Sequence, residues 1–485
     1  MINYAQPYPS VRSPVCAANM VASSQPLAAQ AGLDALRRGG NAVDAALAAA
    51  ITHTVVEPTM NGIGGDAFAI LWDGNELFGL NASGRSPAAW DADTFTKYEK
   101  MPAFGWDSIT VPGGVSAWVM LSERFGKLPF AELFDAAIHY AEDGFQVGPI
   151  TAYYWDLAQE LYKDFPEFAA EFSPAPRPGQ RVRRPDAGRT LRLIAESKGE
   201  EFYRGELADR MDRAARDAGA GFRKSDLAAH TAEWVTPIAQ DYRHIKLHEI
   251  PPNGQGLAAQ IALGILQHCD VPELDSADAV HLQIEAMKIA IRAAFEHFAD
   301  PRAMLVTPEA LLETGSLTRA AERITDRACD LPPVSLPINH GTVYLTTADA
   351  SGMMVSFIQS NYLGFGSGIV IPGTGIAMQN RGWGFSLDPN NLNCVGPSKR
   401  PFHTIIPGFV TENGKPRMSF GVMGGHMQHQ GHVQIVNRIF DHGQNPQAAA
   451  DALRWLVGED FSVTLEPGMP QSLADDLERR GHRLS

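Results

Sequence analysis

The step Gly341-Thr342 carries the most specific chemistry in the chain. A threonine hydroxyl is a poor nucleophile unless a base stands beside it. Cutting the chain before the threonine supplies one: the freed α-amine, with a pKa near ~8, can take the hydroxyl proton of its own residue. Such a cut needs a strained scissile peptide, and a glycine ahead of it tolerates unusual dihedrals. The competing reading is an ordinary turn entering a hairpin. Gly424-Gly425 is the second candidate. Two glycines between a strand and a helix can aim backbone N–H groups at a developing oxyanion, or simply form a tight turn. The third is the run His426, His429, His432 in GGHMQHQGH. Its spacing could present ligands on one side of a helix. The run holds no carboxylate and Gly431 interrupts it, so packed or solvated histidines compete with a metal site. There is no Walker A sequence, no Gly-x-Gly-x-x-Gly opening a helix, no Gly-x-Ser-x-Gly and no His-Glu-x-x-His.

The elements that must position these residues are legible around them. Thr342–Thr347 is β-branched and aromatic and predicts a strand; Asp349–Gly352 is a turn and Met353–Gln359 the returning strand. A glycine-rich loop follows at Gly364–Gly368. Ile405–Val410 and Pro416–Val422, divided by Glu412-Asn413-Gly414, predict a second hairpin. Helix is expected from Gln430 to Phe440 and again near Ala448 to Leu456. Upstream, Pro26–Leu36 has helical spacing and stops at Gly39-Gly40. Asn41 caps the next helix, whose alanines permit close packing. Asp66–Asp73 predicts a strand, and Ser116–Phe125, Phe130–Asp143 and Ala277–Phe298 predict helices. Helix-rich first and hairpin-rich later, the chain reads as an α/β or α+β layered fold.

Composition narrows the function. The 485 residues include 40 basic and 55 acidic ones, a net charge of -15. That argues against nucleic acid or an anionic membrane as partner, since both need a basic surface. Length alone suggests about three domains. Cys16, Cys269, Cys329 and Cys394 are far apart with no Cys-x-x-Cys, which argues against a zinc knuckle or disulfide framework and fits a reduced, cytoplasmic setting. The start, MINYAQPYPSVRSPVCAANMVASS, lacks the pattern of a secretory signal. The longest apolar stretch, around Ala42–Val56, contains Asp44 and His53 and is too short and polar to span a bilayer.

Several long motifs resemble a known family. VVEPTMNGIGGDAFAILWDG (Val55–Gly74) is similar to the glycine-rich signature of the gamma-glutamyltransferase family. VPGGVSAW (Val111–Trp118) and LPFAELFDAAIHYAEDGF (Leu128–Phe145) resemble its next blocks. HGTVYLTTADASGMMVSFIQSN (340–361) resembles the start of its small subunit, and GPSKRP (Gly396–Pro401) and GVMGG (Gly421–Gly425) its later blocks. The resemblance runs in order from about Ser23 to the C-terminus. It implies an α+β fold, the four-layer αββα sandwich of N-terminal-nucleophile hydrolases, and a precursor that cuts itself between Gly341 and Thr342. Residues 1–341 would be the large subunit and 342–485 the small one, interwoven in one fold. Thr342 would attack an amide carbonyl, with its own amine as base and the Gly424 and Gly425 amides holding the oxyanion. Ser360 falls where the family keeps a second hydroxyl, and would orient the amine or the scissile carbonyl; its other reading is a strand-end hydroxyl that caps the loop. No metal or organic cofactor is implied. A dimer of heterodimers is the family expectation. Family members usually continue for a few tens of residues where this chain stops at RRGHRLS.

The departures from the family pattern point to the substrate. A gamma-glutamyl group carries an α-carboxylate and an α-ammonium. The family's arginine position is Ser83 here, with Arg85 two residues on. The expected Gln-x-x-Asp positions hold Arg381 and Gly384, the paired serines are His403 and Thr404, and the nearest acid, Asp388, is displaced by four residues. A buried ammonium beside an arginine without an acid is strongly disfavoured. A carboxylate, held by Arg381 or Arg85, is not. The expected substrate is a small amide with a carboxylate and no amine. TVYL after the cut and QNRGxGFSLDP later resemble the oxamate amidohydrolase branch, which turns oxamate into oxalate and ammonia in purine-nitrogen salvage. Tyr362 would close the pocket. The competing readings for Arg381 and Arg85 are structural ion pairs, and for His403 and Thr404 plain packing. For the whole chain they are a gamma-glutamyl hydrolase or transpeptidase, a glutaryl- or cephalosporin-type acylase, a metal hydrolase built on the His426 run, and a non-catalytic anion-binding scaffold.

Overall fold

A computed structural model describes residues 12–91, 93–334 and 341–485. Residues 1–11, where the chain start was read for a leader, and His340, which opens one motif, lie outside the described residues.

Two antiparallel sheets face each other between helical layers. The first has six strands in the order Met20–Ser23, Val343–Ala348, Met354–Ser360, Asp66–Trp72, Leu77–Asn81, Glu233–Val235. The second has four: Lys415–Phe420, Gly408–Glu412, Ile245–Glu249, Ile238–Tyr242. Strand alternation assigns the faces. Along Asp66–Trp72, Phe68 and Ile70 join Ile358, Ile250, Ile405 and Phe409 in the cluster between the sheets. Ala67, Ala69 and Leu71 turn the other way, into the cluster under Pro26–Arg37, Ala42–Val56 and Gly114–Phe125. Leu247 and Val410 of the second sheet meet Gly256–Leu266, Ala277–His297 and Met427–Phe440. The layers are therefore helix, sheet, sheet, helix, the expected α+β sandwich. Strands from both sides of the Gly341-Thr342 step share both sheets.

The helix Ala42–Val56 shows why these sequences form these elements. All fifteen of its residues are buried, which its alanines allow. Its first turn is closed by a capping box: Asn41 Oδ1 accepts from the Val43 and Asp44 amides, and the Asp44 carboxylate accepts from the Asn41 amide.

Some boundaries differ from expectation. Thr342 lies just outside its strand, which begins at Val343 opposite Gln359. Phe130–Phe134 is a 3-10 turn, and the α-helix starts only at Asp135. The second hairpin is Gly408–Glu412 with Lys415–Phe420, because the Ile406 amide leaves the ladder to donate to Gln428 Oε1. The helix expected from Ala448 to Leu456 ends at Asp451, and Trp455–Val457 is a strand paired with Val463–Leu465. Its Trp455 and Val457 amides donate to the side chains of Gln434 and Gln430, partners too distant in sequence to be legible locally. Conversely, the last long helix starts early, at Met427.

Replacing the cap, Asn41→Ala, should destabilise the protein by about 1 kcal/mol while leaving the secondary-structure content unchanged. Denaturant unfolding followed by circular dichroism checks this.

Candidate active site

Thr342 is buried at the head of Val343–Ala348, with 3% of its surface exposed. Its hydroxyl donates to the Gly341 carbonyl at 2.7 Å. Gly341 has φ of 149°, and a Cβ there would stand 2.5 Å from the Gly364 nitrogen and 2.9 Å from the Tyr362 oxygen. Only glycine fits the residue before Thr342.

Ser360 comes from the next strand. Antiparallel register carries Met354–Ser360 past the head of Val343–Ala348 and sets Ser360 opposite Asp66. The Ser360 hydroxyl donates to the Gly341 carbonyl at 2.6 Å and lies 3.5 Å from the Thr342 hydroxyl. It accepts from the Tyr362 amide and from Arg381 Nη2, each at 2.8 Å.

Arg381 opens the 3-10 turn Arg381–Gly384. That turn is fixed by Asn380, whose side chain donates to the Ala103 carbonyl and accepts from the Leu363 amide. Arg381 is fully buried. Its Nη1 donates to the Thr404 hydroxyl at 2.9 Å, its guanidinium stacks 4.2 Å from the Tyr362 ring centre, and its Nε has no partner among the described residues. No described carboxylate forms an ion pair with it. Burial pushes its pKa down to about 10, against the fields of Tyr362 and Asp66, so it remains a cation at neutral pH. Tyr362 adopts a positive φ of 84°, and its ring packs on Trp383. Trp383 in turn lines a cavity of about 730 Å³ with Phe385 and Phe402.

Gly424 and Gly425 follow the strand Lys415–Phe420, with φ of 116° and 58°. Their amides have no acceptor among the described residues. The turn is tied to the rest of the site by Gln255. Its Nε2 donates to the carbonyls of Gly425 and Thr404, and its Oε1 meets His429 Nδ1 at 2.9 Å. One hydrogen-bonded path therefore runs from the glycine turn through Gln255, Thr404, Arg381 and Ser360 to Thr342.

Other expected residues sit differently. Arg85 is not part of the cluster: it ion-pairs with Asp300 at 2.8 Å and Glu233 at 3.4 Å. Its structural reading replaces its reading as a carboxylate anchor. His403 packs its ring edge-on to Phe68 and meets Asp66 through Nε2 at 3.2 Å. Burial, with Arg381 and Arg400 nearby, holds it neutral. The histidine run is divided among separate partners: His432 meets Glu249, His429 meets Gln255, and His426 stacks on Phe402. Among the described residues, the group with metal-ligand spacing is instead His281, Glu285 and His482. There His281 bonds both His482 and the Thr325 carbonyl, and Lys288 donates to Glu285.

Asp66 and Gln255 were missed from sequence. Asp66 is a fully buried acid at the head of an apolar strand, and that contrast was its only signal. It accepts from the amides of Gly84 and Gly113 and from Gln379, besides meeting His403. It thus gathers four segments behind Arg381. Gln255 lies in PPNGQG, a motif that reads only as a turn.

An αββα sandwich with a Gly-Thr step at the head of an inner strand, and a hydroxyl and a cation behind it, has the architecture of an N-terminal-nucleophile hydrolase. The sequence model of the gamma-glutamyltranspeptidase family matches residues 28–485. The glutathione hydrolase-like YwrD proenzyme of Bacillus subtilis is 36% identical over 92% of this chain and 86% of its own. The oxamate amidohydrolase proenzyme of Klebsiella pneumoniae is 35% identical over 96% and 90%. The crystal structure of cephalosporin acylase from Bacillus halodurans superposes with a TM-score of 0.96 at 48% identity, covering 100% of this chain and 92% of that one. The chain belongs to the gamma-glutamyltranspeptidase family, and like the relatives just named it is a hydrolase of amide bonds.

Burial pushes the Asp66 carboxyl up to about 6 from 3.8, against the field of Arg381 and the donors on it. A carboxyl whose folded pKa is raised favours the fold when protonated, so its contribution is lost as pH rises from about 4 to about 6. The loss is on the order of 3 kcal/mol. Asp66→Asn, which cannot ionise, should flatten that part of the stability–pH curve. An unchanged slope would contradict this account of Asp66.

Proposed function

We propose that the chain cuts itself between Gly341 and Thr342 into subunits 1–341 and 342–485, and that Thr342 then hydrolyses a small carboxylated amide, with oxamate preferred. The Thr342 hydroxyl adds to the amide carbonyl while its freed amine takes the proton. The Gly424 and Gly425 amides hold the oxyanion. Ammonia leaves with a proton from that amine, and water releases oxalate from the acyl-enzyme. Ser360 positions the reacting groups, and Arg381, with Thr404 behind it, holds the substrate carboxylate.

The observation that carries this reading is Arg381: a buried guanidinium with no carboxylate partner among the described residues, one hydroxyl away from the nucleophile. Removing a charge from water without a counter-ion is costly, so the site favours an anion. Its closeness to Thr342 favours an acid whose carboxylate adjoins the scissile carbonyl. The gamma-glutamyl reading needs an acid for the ammonium. Asp66, the buried acid nearest the cluster, already meets four donors. Likeness to the Klebsiella oxamate amidohydrolase supports the small-acid reading. A longer carboxylated acyl group is the second reading, favoured by the cavity at Trp383 and by likeness to the Bacillus halodurans acylase. The four unpaired cysteines support a reduced, cytoplasmic setting, and a pair of heterodimers is the proposed assembly. Among the described residues no helix is long and apolar enough to cross a membrane.

Steady-state kinetics on oxamate and on oxamide, its neutral isostere, test the reading. The unpaired cation predicts kcat/KM for oxamate about 100-fold above that for oxamide. Equal rates would contradict the role of Arg381. Faster turnover of a glutaryl or gamma-glutamyl anilide would transfer the function to those classes. Thr342→Ala should abolish all of these activities.

A further inference from the structure

We propose that Arg381 also promotes the self-cut, by fixing the Ser360 proton on the Gly341 carbonyl before any substrate is present. The proposal rests on the reading of Gly341-Thr342 as the cut site and assigns the arginine a second task there.

A hydroxyl has one proton to donate and two lone pairs to accept with. At Ser360 both lone pairs are engaged, by the Tyr362 amide and by Arg381 Nη2. Both of those groups are donors only. The Ser360 proton therefore points along its remaining short contact, the 2.6 Å bond to the Gly341 oxygen. Arg381 thus removes the rotational freedom of that hydroxyl, and its charge makes the O–H a stronger donor.

The consequence appears when the peptide reacts. In the uncut chain the Gly341 carbonyl accepts from both Thr342 and Ser360. To attack, the Thr342 oxygen must give up its bond to that oxygen and approach the carbonyl carbon instead. The bond from Thr342 Oγ1 to the Gly341 carbon forms, and negative charge collects on the Gly341 oxygen. The C–N bond to Thr342 then breaks, the hydroxyl proton ends on the departing nitrogen, and water hydrolyses the resulting ester to a Gly341 carboxylate and a free Thr342. Through the attack, Ser360 is the donor among the described residues that remains on the oxygen. A donor preorganised on a developing oxyanion is worth far more than a freely rotating one. Arg381 touches Ser360 rather than the reacting atoms, so it is a positioning residue for this step.

The test follows the conversion of newly made full-length chain, from cell-free translation, into its two fragments. Arg381→Ala should cut at least about 10-fold more slowly than the parent. Added guanidinium ion should restore much of the rate, and urea, its neutral counterpart, should not. Because Arg381 acts through Ser360, the double variant Ser360→Ala with Arg381→Ala should be no slower than Ser360→Ala alone. Cutting of Arg381→Ala at the parent rate would overturn the proposal while leaving the substrate reading standing. Additive effects in the double variant, or folded Arg381→Ala that guanidinium does not rescue, would also overturn it. If the parent chain itself stays whole, the reading of Thr342 fails, a different result. Should Arg381→Ala not fold by circular dichroism, Arg381→Met decides in its place: it fills the space with neither donor nor charge, and cutting at the parent rate refutes the proposal.

Discussion

A guanidinium buried with no carboxylate partner among the described residues is a severe constraint on a fold, and much of this site is arranged around one. Arg381 is held by two hydroxyls and an aromatic face, none of which neutralises it. Asp66 lies close enough for its field to matter but is engaged by four donors of its own. Burying such a cation is costly, and the cost falls when an anion arrives. In the proposed function, that makes the site selective for charge before any detail of substrate shape is considered.

The sandwich supplies what the arginine needs. Register between three neighbouring strands brings Thr342, Ser360 and Asp66 to one end of the six-stranded sheet. The second sheet returns through Thr404 and the Gly424-Gly425 turn, and Gln255 joins those two segments through their carbonyls. The proposed nucleophile, the cation and the proposed oxyanion donors therefore come from segments far apart in sequence, held by strand register and by the Gln255 side chain. Sites supported in this way hold their geometry through a reaction.

Much of this was legible in the sequence. Thr342, Ser360, Arg381 and Thr404 could be named from motif position, and the structure places them in one hydrogen-bonded cluster. The helix cap at Asn41 and the hairpins followed from local rules. Other features depended on partners distant along the chain. Arg85 looked as fit to bind a carboxylate as Arg381, and only the folded arrangement shows Asp300 and Glu233 already on it. Trp455 and Leu456 read as the end of a helix because the glutamines that hold this segment extended lie more than twenty residues earlier. The importance of Asp66 and Gln255 lies in the segments they join, which no local pattern reports.

The most direct measurement is a crystal structure of the cut protein soaked with oxalate, the product of the proposed reaction. The account predicts one carboxylate of oxalate on the Arg381 guanidinium, with N–H···O distances of about 2.7 to 2.9 Å, and the other against the Thr342 hydroxyl. Oxalate bound elsewhere, or Arg381 closed by an ion pair to a side chain of the protein itself, would contradict it.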